Sequence, residues 1–154
     1  MAISASAVWE VRSTATAANA NGGFFVTGSS GTATVPIVIE GYNSTRGDNP
    51  KTLATRPIFD GGTALFTSGN NMNWTSIHFK STNTATGTVT SGTVCIWKDC
   101  RFVNTGTTAS KVGFTGAVDS LCIDCDFTSF RGQSWYTSIR SERLQLGGII
   151  YGRR

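Results

Sequence analysis

The 154-residue chain has one histidine, three glutamates, four lysines and five leucines, and each scarcity closes off a class of protein. With His78 alone, a His-rich zinc centre is nearly removed, and any Ser-His-Asp triad has a single possible base. So little Leu, Glu and Lys starves α-helices, whose interiors favour those residues. No apolar run approaches the roughly 18 residues of a membrane span, so no membrane partner is expected. The start, Met1-Ala2-Ile3-Ser4-Ala5-Ser6, lacks the charged and apolar regions of a secretory signal, and any export would need another route.

Charge is also short of one sign until the end of the chain. Residues 1–130 carry eight basic and eight acidic side chains, so the net charge of +4 comes from Arg131, Arg140, Arg143, Arg153 and Arg154 set against Glu142. A basic tail can attract nucleic acid or another anionic surface. Without lysine clusters or a nucleic-acid motif, the expected role is a solvated or partner-facing end, and DNA contact ranks last.

In place of helix formers there are 23 Thr, 18 Gly, 16 Ser and 9 Asn. That mixture suits strands broken by turns. Disordered chains are poor in aromatics, whereas this one has nine Phe, four Trp and three Tyr, so order is expected. The size and the 39% hydrophobic fraction fit one domain with a modest core.

The most informative pattern occurs three times: Trp74-Thr75-Ser76-Ile77-His78-Phe79-Lys80, Trp97-Lys98-Asp99-Cys100-Arg101-Phe102-Val103, and Cys122-Ile123-Asp124-Cys125-Asp126-Phe127-Thr128. The phenylalanines lie 23 and 25 residues apart, in the range of solenoid repeats. Strand alternation places Ile77 with Phe79, Cys100 with Phe102 and Cys125 with Phe127 on one face, a core ladder once the repeats stack. The same alternation sends Ser76, Asp99 and Asp124 outward in one column and His78, Arg101 and Asp126 in the next, so His78 reads as a surface residue. By parity Cys122 and Cys125 fall on opposite faces, which sets aside their Cys-x-x-Cys spacing as a metal or redox site and leaves Cys100 and Cys125 as stacked buried thiols.

Pro36-Ile37-Val38-Ile39-Glu40-Gly41-Tyr42 and Arg56-Pro57-Ile58-Phe59-Asp60 read as earlier strands with Pro near their starts, where its missing N–H is tolerated. The expected fold class is all-β, a short right-handed parallel β-helix of about five coils with an atypical C-terminal segment. Residues 1–34 are expected to lead in and cap, 35–130 to form the coils, and 131–154 to make a basic, apolar cap or subunit interface. That interface would use Trp135, Tyr136, Ile139, Arg140, Arg143, Leu144, Leu146, Ile149, Ile150 and Tyr151.

Five stretches carry a resemblance: residues 8–12 (Val8-Trp9-Glu10-Val11-Arg12), 21–24 (Asn21-Gly22-Gly23-Phe24), 36–42, 45–48 (Thr45-Arg46-Gly47-Asp48) and Arg56-Pro57. On these the chain resembles parallel β-helix proteins of the pectate-lyase-like superfold, and more narrowly uncharacterised β-helix proteins of phages and environmental bacteria. The match spans residues 8–130 in pattern. The integrin-type tripeptide Arg46-Gly47-Asp48 sits in a turn that the resemblance already accounts for. The superfold hosts lyases, hydrolases, adhesins and phage spikes, so it does not choose among them.

Two functions follow as expectations. The first is a non-enzymatic structural module of a phage virion, a head-decoration or tail-associated protein. It would assemble as a homotrimer, dock on other virion proteins, and need no cofactor, metal or catalytic residue. Its motivation is a short solenoid, a poor acid-base inventory and a C-terminal segment suited to subunit contact. The alternative is a glycan-binding or polysaccharide-cleaving β-helix, extracellular or at the cell surface, with Trp97, Asp99, Arg101, Asp124 and Asp126 as a surface strip for a glycan or cation. The resemblance implies such a strip because lyases of the superfold set acidic calcium ligands beside an Arg or Lys base. Two or three carboxylates leave calcium short of its six or more oxygens, and a solvent-facing charge ladder with Arg101 offsetting Asp126 is the simpler reading.

Overall fold

The computed structural model describes residues 8–12, 16–18, 30–52, 55–63, 66–82, 89–106, 114–115, 119–128, 139–141, 144–146 and 149–151. Among them every regular element is a strand. In chain order these are β1 (Val8–Arg12), β2 (Thr16–Ala18), β3 (Ile37–Tyr42), β4 (Ile58–Asp60), β5 (Phe66–Thr67), β6 (Met72–Thr75), β7 (His78–Ser81) and β8 (Val89–Thr90). There follow β9 (Ile96–Lys98), β10 (Arg101–Asn104), β11 (Phe114–Thr115), β12 (Ser120–Ile123), β13 (Cys125–Thr128), β14 (Ile139–Ser141), β15 (Leu144–Leu146) and β16 (Ile149–Tyr151). The described structure is all-β.

Three sheets result, ordered β1-β3-β6-β9-β12-β14, β2-β4-β7-β10-β13-β15-β16 and β5-β8-β11. Neighbours run parallel except β15 and β16, which are antiparallel. The chain deals its strands out in rotation: β3, β4 and β5 enter the first, second and third sheets, and β6–β8 and β9–β11 repeat the cycle. Parallel neighbours need a long crossover, and here the other two sheets supply it. The lead-in strands β1 and β2 already pair with β3 and β4, and β14 and β15 extend the first two sheets beyond residue 130.

Register puts like on like. In the second sheet Phe59, Phe79, Phe102 and Phe127 face one another across successive strands. The Phe79 and Phe102 rings stack at 5.4 Å and 9°, and those of Phe102 and Phe127 at 4.8 Å and 20°. In the first sheet Ile39, Trp74, Trp97 and Cys122 align, with the two indoles stacked at 5.3 Å and 7°. Phe66 and Val89 supply the third wall of the same buried cluster. Each indole N–H finds a serine, Trp74 Nε1 on Ser68 Oγ at 3.1 Å and Trp97 Nε1 on Ser91 Oγ at 3.0 Å, so large aromatics are buried without orphaning a donor.

The passage from the first sheet to the second corrects the simple alternation. Ser76, Asp99 and Asp124 adopt φ of 56°, 52° and 50°, and a second column, Asn71, Val94 and Asp119, adopts 51°, 54° and 59°. Asp and Asn tolerate this left-handed region best among residues with a side chain, and four of the six positions use them. One left-handed residue resets strand parity, so inward positions fall three residues apart across the corner: Trp74 and Ile77, Trp97 and Cys100, Cys122 and Cys125, all buried. Cys122 and Cys125 therefore share the interior, against the opposite faces expected from parity. Cys95 and Cys100 join them as free buried thiols. Burial foremost raises the Cys100 and Cys125 thiols well above the ordinary range.

Candidate functional site

With Phe59, Phe79, Phe102 and Phe127 inside, the outer face of the second sheet carries Asp60 on β4, His78 and Lys80 on β7, Arg101 on β10 and Asp126 on β13. Pairing aligns Ile58, His78, Arg101 and Asp126 in one row, and Asp60, Lys80 and Val103 in the next. Lys80 Nζ sits 2.8 Å from Asp60 Oδ2, and Arg101 Nε 3.4 Å from Asp126 Oδ2. Burial acts to raise the Asp60 carboxyl, but the Lys80 ammonium and the Gly62 N–H outweigh it and hold it below the ordinary range.

The loop between β3 and β4 is tied to this face. Asp48 shapes its start by accepting the N–H groups of Asn43, Ser44 and Thr45, of which the Asn43 bond does most to lower its carboxyl. Asp48, the last residue of the Arg-Gly-Asp tripeptide, is thus employed in its own loop. Farther along, Lys51 pairs with Asp99, and the buried Arg56 donates from Nε to the Pro50 carbonyl at 3.1 Å.

His78 is only 5% exposed, which corrects its placement as a surface residue: its strand position faces outward, but burial covers it. That burial first, then the cations Arg101, Arg56 and Lys80, pushes its pKa down to about 4, with Asp60 opposing. The imidazole is neutral at pH 7.

The five residues expected as a surface strip do not share one surface. Trp97 is 0% exposed and belongs to the core, because the corner at Asp99 turns it inward. Asp99 is 4% exposed beneath Lys51, while Asp124 stands exposed at the next corner. Arg101 and Asp126 remain half-buried partners. Ile77, Phe79, Cys100, Phe102, Cys125 and Phe127 are all in the buried cluster. Among the described residues no three His, Cys, Asp or Glu side chains gather as metal donors. Of the expected interface, Trp135, Tyr136 and Arg143 lie outside the described residues. Ile139 and Arg140 fall on β14, Leu144 and Leu146 on β15, and Ile149, Ile150 and Tyr151 on β16.

Sequence reasoning missed Lys51 and Arg56 and placed Ser76 outward, whereas Ser76 is 0% exposed. Lys51 meets Asp99 from far along the chain, and no local spacing announces that pair. The Asn43–Asp48 cluster did signal a turn.

Comparison with known protein families, with curated proteins and with solved structures finds no match. Function therefore rests on the outer wall itself. Its chemistry is that of charges already compensated by the chain's own cations, beside one neutral imidazole.

Proposed function

We propose that the chain is a right-handed parallel β-helix serving as a non-enzymatic structural module of a phage virion, assembling as a homotrimer that docks on the particle. The rotation of strands through three parallel sheets, with aromatic ladders between them, supports the solenoid. The observation that carries the non-enzymatic reading is the pairing of Asp60, Asp99 and Asp126 with Lys80, Lys51 and Arg101. Glycoside cleavage needs one carboxyl kept protonated beside another that is ionised. Asp60 is instead held ionised, and the alternative glycan strip loses its aromatic platform to the core with Trp97.

A face for self-assembly is offered by the outside of the first sheet. Val38, Asn73, Ile96 and Leu121 align across β3, β6, β9 and β12, with Ile96 37% exposed. Apolar side chains gathered on one outer face mark subunit contact. Light scattering is expected to give about three times the 16.3 kDa chain mass, and Ile96→Asp to shift the protein to monomer. A wild-type monomer persisting at millimolar concentration overturns the assembly.

A further inference from the structure

Four buried side-chain polar atoms among the described residues lack a hydrogen-bond partner: Ser76 Oγ, His78 Nδ1, His78 Nε2 and Arg101 Nε. They do not scatter. Ser76 and His78 are two residues apart at the head of β7, and Arg101 is the register partner of His78 on β10. On the other side Ile58 is paired with His78, and the Pro57 carbonyl accepts the His78 N–H at 3.0 Å, so Arg56, the residue before Pro57, lies near enough to act electrostatically on the imidazole. Buried polar atoms are nearly always satisfied, so a cluster of orphans on three neighbouring residues calls for a partner from outside the chain.

We propose that Arg56, Ser76, His78 and Arg101 form a binding site for one oxyanion, a carboxylate or a tetrahedral sulfate or phosphate group. The cluster is a donor set: a hydroxyl, an imidazole N–H and two guanidinium groups. Its charge has one sign left over. Lys51 is taken by Asp99, Lys80 by Asp60, and Arg101 faces Asp126 at 3.4 Å without a hydrogen bond from Nε. Arg56, 8% exposed, has no carboxylate partner among the described residues and uses Nε only to hold the Pro50 carbonyl. A planar guanidinium suits bidentate capture of an oxyanion, and Arg101, its side chain 22% exposed beside Asp126, provides the approach.

Protonation is coupled to binding. The charged groups facing the imidazole are Arg56 ahead of β4, Asp60 on β4, Lys80 on β7 and Arg101 on β10, the last with Asp126 beyond it. Burial first, then three cations against the Asp60 carboxylate, disfavour the imidazolium, and an anion among them offsets the cations' share. Binding then takes up a proton and tightens as pH falls. The site does not rest on the assembly reading and stands whether the chain is monomer or trimer.

His78 is the chain's one histidine, so imidazole NMR reports it without assignment. Its ring is titrated in chloride, then at matched ionic strength in sulfate and in trifluoroacetate, both of which stay ionised throughout. The expected result is a ring pKa near 4 in chloride that rises by about one unit or more, a tenfold gain in proton affinity, with a bound oxyanion. Response to sulfate alone identifies a tetrahedral group, to trifluoroacetate alone a carboxylate, and to both a site that accepts either. Arg56→Gln is expected to raise the chloride value and abolish the response. An unchanged ring pKa in both anions overturns the site, as would a full-sized response in Arg56→Gln. The wild-type titration decides the matter even if that variant fails to fold.

Discussion

The stacked phenylalanines give the sharpest test of the register. Phe102 is fully buried, stacked on Phe79 at 5.4 Å and Phe127 at 4.8 Å and edge-on to Trp97 at 5.6 Å. Truncation to Ala removes ring burial and leaves a cavity, at about 3–5 kcal/mol, a large part of the roughly 5–15 kcal/mol that holds a domain together. Leu variants at about 1–2 kcal/mol keep the protein folded and allow a double-mutant cycle by urea denaturation. Phe79→Leu with Phe102→Leu should show a coupling of about 0.5–1.5 kcal/mol, the worth of a lost aromatic pair. Phe79 and Phe127 stand two strands apart, about 10 Å, and meet only through Phe102, so their Leu cycle should show a smaller coupling than that of the adjacent pair. Coupling between Phe79 and Phe127 equal to that between Phe79 and Phe102 would refute the ladder.

Three further outcomes follow from particular contacts. His78 has a folded pKa of about 4 against 6.5 unfolded, so between those values the unfolded state holds more protons and stability falls as pH drops; melting temperatures should show this slope in the wild type and lose it in His78→Gln. Gly41→Ala sets a Cβ against the Ser76 carbonyl and the Pro57 ring, costing about 1–3 kcal/mol, whereas Gly47→Ala, at φ 79° with open space around it, costs only its left-handed strain of about 1 kcal/mol; chemical denaturation should rank them in that order. Val94 is β-branched at φ 54°, so Val94→Asn, matching Asn71 in the same column, should stabilise by about 1 kcal/mol, and a lower denaturation midpoint would refute the strain.

The sequence made the buried Phe79, Phe102 and Phe127 column legible because period-two alternation and a 23–25 residue spacing both act locally. What alternation could not supply was the corner. A left-handed residue at Ser76, Asp99 or Asp124 consumes one position without a strand's change of face, so Trp97 and Cys122, placed outward by counting back from Phe, turn in. The Asp residues at two of the three corners were visible, but Asp serves equally as an outward strand residue, and composition alone does not separate the two.

The burial of His78 belongs to a different order of information. Its outward strand position is local, but its surroundings are not: they are set by Arg56 from the head of β4 and Arg101 from β10, more than twenty residues away on either side. A carboxylate opposite His78 would have made an ordinary ion pair of it. The chain places Arg101 there instead and commits its nearby carboxylates to Lys51, Lys80 and Arg101 itself. Among the described residues that distribution pairs the carboxylates beside His78 and leaves Arg56 near the imidazole without one. A uniformly solvated charge ladder has no reason to concentrate its imbalance in its most buried polar cluster, whereas a wall that holds one anion does.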